Sequence, residues 1–138
     1  MRFMVMVRAT ADTEAGMLPS AELLREMSAY NERLIEAGVL VTGEGLQRSA
    51  KGARVLFDGA GRTVVDGPFA ETKELIAGYT LIQTRTRDEA IEWSRRFPNP
   101  RGEGTPCHVE VRQLFELEDL EAMAPKEALA RFREIVGR

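Results

Sequence analysis

The connector at residues 64–79, VVDGPFAETKELIAGY, carries the side chains in this chain that are best suited to chemistry. Asp66 and Glu71 stand close together in it, and Glu44 stands in another turn flanked by glycines. Two carboxylates brought together can raise one pKa and form an acid–base pair. Lys73 could bind an anionic group or stabilise developing negative charge. We therefore predict Asp66 and Glu44 as catalytic residues and Glu71 and Lys73 as substrate-binding residues.

The same connector also has a purely structural interpretation. Asp66 precedes Gly67 and Pro68, and aspartate is favoured at turns because its side chain accepts hydrogen bonds from nearby backbone N–H groups. Glutamate and lysine are common solvated residues on any protein surface. The residue types alone therefore leave open both a binding site and a well-formed turn.

A second group of charged residues lies on the predicted strand at residues 109–115. Glu110 and Arg112 share one face of that strand, because alternate residues point to the same side. Arg8 has the parity of Met6 on the first predicted strand. If these faces line the interior of a dimer, the three charged groups would lie in a partly enclosed cavity, and we predict Arg8 and Arg112 as substrate-binding residues. An ion-pair network at an interface, or a strand end that reaches water, is the alternative.

Metal binding and cofactor binding are not expected. Cys107 and His108 are the only cysteine and histidine, and neighbours on a strand point to opposite faces. From a regular strand they cannot both ligate one zinc ion or form a nucleophilic Cys–His pair. Three Gly-x-Gly pieces, at residues 43–45, 59–61 and 102–104, continue into neither a dinucleotide fingerprint nor a phosphate loop.

The composition is typical of a globular protein with one domain. The chain has 138 residues, of which 43% are hydrophobic and 30% charged, and its formal net charge is −3. It has no basic stripe, so we expect no nucleic-acid partner. The first apolar run stops at Arg8 and is too short for a signal peptide or a membrane span. We therefore expect a cytoplasmic protein with no membrane contact.

Hydrophobic periodicity divides the chain into alternating strands and helices. Ser20 and Gly38 are placed to cap the first helix, and Thr86 and Glu89 form a predicted capping box at the second. The Asp-Gly pair at residues 58–59 predicts a hairpin. The predicted strands are residues 3–7, 39–42, 54–57, 62–65, 79–84 and 109–115, and the predicted helices are residues 20–38, 86–97 and the tail from residue 117.

This order of elements, β-α-β-(ββ)-β-α-β with an extra C-terminal helix, predicts a ferredoxin-like α+β domain with an antiparallel sheet. In the first strand, Phe3 and Val5 face one way while Met4 and Met6 face the other, so both faces are apolar. Helices can cover only one face of such a sheet. We therefore predict a homodimer in which the sheets of two subunits pack face to face.

Four segments of the chain resemble the YCII-related proteins, in particular the DGPF subgroup. They are GVLVTGEGL at residues 38–46, VVDGPFAETKELIAGY at 64–79, DEAIEWSRRFP at 88–98 and VEVRQLFELEDL at 109–120. The resemblance covers residues 1–120, and residues 121–138 form a C-terminal helical extension of the same domain. It implies a dimeric α+β barrel.

The resemblance implies less about activity. YCII-like proteins were proposed to be enzymes because a histidine and an aspartate lie in a pocket between sheet and helix. The first helix of this chain contains no histidine, so that proposal does not carry over. DGPF proteins are also often linked, by gene neighbourhood or fusion, to extracytoplasmic-function sigma factors.

These observations predict a homodimeric protein that binds or acts on a small molecule in a pocket near the DGPF turn. Whether it is an enzyme stays open at this point. The alternatives are a non-catalytic accessory or regulatory protein, linked to an extracytoplasmic-function sigma factor, and a dimeric module in which the turn is purely structural.

Overall fold

The computed structural model describes residues 1–136. Two short 3-10 turns, Ser49–Lys51 and Thr72–Glu74, interrupt the connections. The strands are β1 (Arg2–Arg8), β2 (Leu40–Gly45), β3 (Ala53–Asp58), β4 (Gly61–Asp66), β5 (Ile76–Gln83) and β6 (Val109–Gln113). The helices are α1 (Ala11–Glu14), α2 (Ala21–Glu36), α3 (Arg87–Arg95), α4 (Leu117–Glu121) and α5 (Lys126–Val136).

The six strands form two separate antiparallel sheets. The main sheet has the order β2-β5-β1-β6, so the first strand lies between the fifth and the sixth. The hairpin of β3 and β4 forms a two-stranded sheet of its own. The predicted α+β class and antiparallel pairing are confirmed, and the order of elements agrees with the sequence pattern.

One face of the main sheet carries the hydrophobic core. Phe3, Val5 and Ile82 are at most 2% exposed and pack with Tyr30 and Leu34 of α2. The Tyr30 hydroxyl donates a hydrogen bond to the Trp93 carbonyl oxygen at 2.7 Å, which connects α2 to α3. Burial raises the pKa of Tyr30 to about 12.

Capping residues fix where α2 begins and ends and where α3 begins. The Ser20 hydroxyl accepts a hydrogen bond from the Leu23 N–H, and Gly38 has a φ of 70° just after α2, as predicted. The Thr86 hydroxyl accepts from the Glu89 N–H at the start of α3. The predicted capping box is only half formed, because the Glu89 carboxylate accepts from the Arg85 N–H instead of the Thr86 N–H.

The second face of the main sheet carries Met4 and Met6, which stay half-buried in the single chain. The hairpin is more exposed, and its apolar side chains include Phe57 at 68% and Val64 at 65% exposure. A two-stranded hairpin is only marginally stable in water without further packing. Both surfaces therefore leave apolar side chains uncovered.

The tail forms two helices, and the break between them precedes Lys126, next to Pro125. Leu129 of α5 is buried, while Phe132 and Ile135 of the same helix remain exposed. The last two residues of the predicted extension, 137–138, lie outside the described residues. None of the helices within residues 1–136 combines the length and apolar character needed to cross a bilayer.

Candidate functional site

The DGPF turn, residues 66–69, packs directly on the segment that precedes β3. The Gly67 N–H donates to the Gly52 carbonyl oxygen at 3.0 Å, and the Phe69 N–H donates to the Ser49 hydroxyl at 3.1 Å. A Cβ atom at position 67 would overlap the Ser49 carbonyl oxygen. Only glycine therefore allows the turn to approach this closely.

Ser49 also links the DGPF turn to α1, the short helix that follows β1. Its N–H and its hydroxyl both donate to the Glu14 carboxylate. On the far side of the turn, the Arg54 guanidinium lies 3.9 Å from the centre of the Phe69 ring, which gives a cation–π contact. Gly67, Phe69 and Ser49 thus have a structural role in this region.

Three of the predicted site residues lie at exposed positions in different elements. Asp66 ends β4, Glu44 lies opposite Tyr79 in the main sheet, and Glu71 begins the second 3-10 turn. All three acidic residues are exposed, and none forms an ion pair with another described residue. Catalysis by Asp66 and Glu44 stays a prediction.

The structure brings Lys73 and Arg8 together in one cleft of about 250 Å³, which we call the Arg8 cleft. It lies between the end of β1, the second 3-10 turn and the loop that precedes β6. Its lining residues are Val7, Arg8, Ala9, Thr10, Lys73, Pro100, Arg101, Pro106, Cys107 and His108. A second cavity of about 70 Å³, beside Phe3 and Ile91, is much smaller.

Positive charge and apolar surface share the lining of the Arg8 cleft. Arg8, Lys73 and Arg101 supply the charge, and among the described lining residues none is acidic. Two prolines, one alanine and one valine supply apolar wall. Ligand sites in proteins are commonly concave, largely apolar and equipped with a few polar groups, which is the combination found here.

Arg8 forms an ion-pair network with Glu110 and Arg112, the two residues with which strand parity grouped it. Its Nη2 donates to Glu110 Oε1 at 2.8 Å, and Arg112 Nη1 donates to Glu110 Oε2 at 3.4 Å. These hydrogen bonds, first that from Arg112 and then that from Arg8, hold the pKa of Glu110 below its ordinary value. Arg112 is largely exposed and does not line the Arg8 cleft.

One donor of Arg8 has no partner in the network. The Nε atom is buried and lacks a hydrogen-bond partner among the described residues, although the side chain as a whole is 28% exposed. A buried N–H group without an acceptor destabilises the folded state, because the desolvation free energy of the group is not offset by a hydrogen bond. Arg8 is therefore incompletely satisfied beside a cleft.

Cys107 and His108 are both exposed at the rim of the Arg8 cleft. The Cys107 thiol lies 2.8 Å from Asn99 Oδ1 and donates to it. Within the described part of the chain, no three His, Cys, Asp or Glu side chains are grouped closely enough to hold a metal ion.

Comparison with known proteins identifies the family. The model of the YCII-related domain matches residues 1–115. The chain belongs to the YCII-related family. It is 40% identical over 78 residues to an uncharacterised protein of Rhizobium meliloti (strain 1021), and the alignment covers 56% of this chain and 62% of that protein's length.

A solved structure offers a more distant likeness. It is that of 5-chloro-2-hydroxyhydroquinone dehydrochlorinase from Burkholderia phenoliruptrix AC1100, in complex with 2,5-dihydroxybenzoquinone. The identity is 11%, the TM-score is 0.43, and the match covers 84% of this chain and 95% of that chain. At that TM-score the superposition carries no argument about fold or activity.

Several residues of the candidate site were not predicted from the sequence. Arg101 and Thr10 line the Arg8 cleft, and Glu14 and Ser49 hold the DGPF turn. Thr10 and Arg101 lie in loops, Ser49 begins a 3-10 turn and Glu14 ends the one-turn helix α1, so no hydrophobic period indicates which segments meet. The Pro- and Gly-rich composition of residues 98–106 identified that segment as a loop, but not as the wall of a cleft.

Proposed function

We propose that this YCII-related chain, of the DGPF subgroup, is a homodimer that binds a small molecule in the Arg8 cleft. The supporting observation is the convergence of Arg8, Lys73 and Arg101 in one concave site. Lys73 stands four residues after Phe69, so the site adjoins the DGPF turn. The setting is the cytoplasm.

The dimer is proposed as a ferredoxin-like α+β barrel. The strand order β2-β5-β1-β6, with α2 and α3 as the long connections, agrees with a ferredoxin-like topology. Half-buried Met4 and Met6 supply an apolar second face, and the hairpin adds Phe57 and Val64. A twofold dimer would use each of these surfaces twice, since both subunits present the same patch.

Sedimentation equilibrium at micromolar concentration tests the dimer. We expect the mass of two chains, and we expect Phe57→Ser to shift the equilibrium towards one chain because it removes exposed apolar area from the hairpin. Leu18→Ser is the matched control, since Leu18 is 84% exposed in a loop outside the hairpin. A wild-type chain that sediments only as a monomer would exclude the dimer.

Protection of Cys107 tests the ligand site. Cys107 is the only cysteine, and it is exposed in the lining of the Arg8 cleft, so its alkylation rate reports on occupancy of the site. We expect some members of a metabolite library to slow alkylation by a maleimide in a saturable way. Alkylation of glutathione in the same mixtures controls for direct reaction with the reagent. A library that leaves the rate unchanged throughout would count against small-molecule binding.

Catalysis by Asp66 and Glu44, with Glu71 as a binding residue, is the enzymatic form of this proposal. Because all three are exposed in the single chain, their carboxylates would need a partner subunit or a ligand to desolvate them. Replacement of Asp66 by Asn separates the roles. A loss of turnover with unchanged stability supports catalysis, and a loss of stability alone supports a turn residue.

The accessory role is the second candidate, and the exposed apolar hairpin favours it. Its side chains could pack against another protein, such as an extracytoplasmic-function sigma factor, instead of a second copy. Mixing the chain with such a sigma factor before sedimentation distinguishes the two. A heteromeric complex that Phe57→Ser abolishes would support the accessory role, and an unchanged homodimer would not.

A further inference from the structure

We infer that the ligand of the Arg8 cleft is a small organic carboxylate with an apolar body, whose head group binds Arg8 and Lys73 in competition with Glu110. This inference rests on the proposed function and names the class of ligand. It follows from the chemistry of Arg8, from the charge of the lining and from the apolar part of the wall.

Arg2 and Arg8 lie on the same strand but pair differently with their glutamates. Arg2 donates from Nε and from Nη2 to the two carboxylate oxygens of Glu116, at 2.9 and 3.1 Å. This is the paired geometry in which a guanidinium binds a carboxylate most strongly. Arg8 donates to Glu110 from Nη2 alone, and its Nε has no partner among the described residues. The Nε–Nη2 edge of Arg8 therefore has one donor without an acceptor among the described residues, and because Nε is buried, a ligand reaches it only when Arg8 turns away from Glu110.

Glu110 is the carboxylate that a ligand would displace from Arg8. Its other oxygen accepts from Arg112, so Glu110 keeps a cationic partner when Arg8 turns to a ligand. Removing one partner of an ion pair is unfavourable mainly when the remaining charge is left unpaired. The exchange of Glu110 for a ligand carboxylate on Arg8 leaves neither arginine without an acceptor.

The remainder of the lining of the Arg8 cleft contains both positive charge and apolar surface. Lys73 and Arg101 add positive charge beside Arg8, which favours a negatively charged group over a neutral or cationic one. The apolar wall, which includes Pro100 and Pro106, offers no charged partner and suits a hydrocarbon or aromatic body. An amphipathic carboxylate satisfies both parts of the site.

Titration of the full chain with matched acids and amides tests the class. The probes are two matched pairs, benzoate with benzamide and butyrate with butyramide. Their binding is measured by NMR or calorimetry. We expect the carboxylates to bind about tenfold more tightly or better, since a charge-assisted hydrogen bond is the main difference between the members of each pair. Equal binding of acids and amides would overturn the carboxylate but leave small-molecule binding intact. Binding of neither, together with no protection of Cys107 by any library member, would overturn both.

Two pairs of variants test the competition. Arg8→Lys keeps the charge but loses the paired donors, so benzoate affinity should fall about tenfold. Glu110→Gln weakens the competing acceptor, so benzoate affinity should rise several-fold. Arg2→Lys and Glu116→Gln, at the other end of β1, are the controls and should leave affinity unchanged. A lower affinity in Glu110→Gln, or equal losses in Arg8→Lys and Arg2→Lys, would overturn the competition.

Discussion

Strand β1 begins and ends with an arginine, and the two ends pair differently. Arg2 donates to both oxygens of Glu116, whereas Arg8 shares Glu110 with Arg112, and its Nε has no partner within residues 1–136. The residue types are the same, and the side chains are similarly exposed. What differs is the completeness of the pairing. An arginine whose Nε–Nη2 edge is paired within the fold has a structural role, and one beside a cleft with an unpaired donor on that edge can bind a ligand.

The position of each glutamate explains the difference. Glu116 caps the start of α4, and its own N–H donates to the Asp119 carboxylate, so its backbone is held at the helix terminus. Glu110 lies on β6 directly opposite Met6, between two arginines. One carboxylate in that position cannot pair bidentately with both guanidinium groups.

Gly67→Ala is expected to have the largest effect on this comparison. The new Cβ would overlap the Ser49 carbonyl oxygen, so the DGPF turn must move, and Lys73 follows that turn. Overpacking of this kind destabilises by about 1–3 kcal/mol. We expect a lower urea midpoint, and we expect a changed Cys107 alkylation rate because Lys73 and Cys107 line the same cleft.

Gly45→Ala is the matched control for that substitution. A Cβ at Gly45 meets nothing within 4 Å, and its φ is not positive. We expect a change of stability within about 0.5 kcal/mol. Similar effects of the two substitutions would mean that the DGPF turn is not held by its packing on Ser49.

Double-mutant cycles at the two ends of β1 sharpen the comparison further. Replacing Arg2 and Glu116 by glutamine, singly and together, should give a coupling of about 0.5–1 kcal/mol, because the pair is bidentate but partly solvent-screened. The same cycle for Arg8 and Glu110 should give a smaller coupling, since Arg112 continues to pair with Glu110. A larger coupling at the Arg8 end would contradict the view that Arg2 holds the structural pair.

Local patterns in the sequence were enough to predict most of the fold. Ser20 and Gly38 act within one turn of their own helix, and the alternation in β1 and β6 correctly grouped Arg8 with Glu110. Contacts between loops could not be predicted in this way. The packing of Gly67 on Ser49 and the approach of Lys73 to Arg8 each join segments whose separation along the chain carries no period. The candidate cleft is built almost entirely from such contacts.

The pH dependence of stability is the smallest expected effect. The hydrogen bond from Arg2 holds the pKa of Glu116 below its ordinary value, which is about 4.3 in an unfolded chain. Because the folded pKa is the lower one, the stabilisation is complete above the unfolded pKa and is lost as the pH falls through the folded pKa. Urea unfolding of wild type and Glu116→Gln should therefore differ most near neutral pH and converge below about pH 4.

Glu110→Gln extends the pH experiment to the Arg8 end. The pKa of Glu110 is lowered as well, first by the hydrogen bond from Arg112, so its difference from wild type should have the same sign and the same acidic window. The difference at this end reports on two arginines, because Glu110 accepts from both Arg8 and Arg112 whereas Glu116 accepts from Arg2. A difference that grows on acidification at either end would show that the carboxylate in question does not stabilise the fold through its arginine.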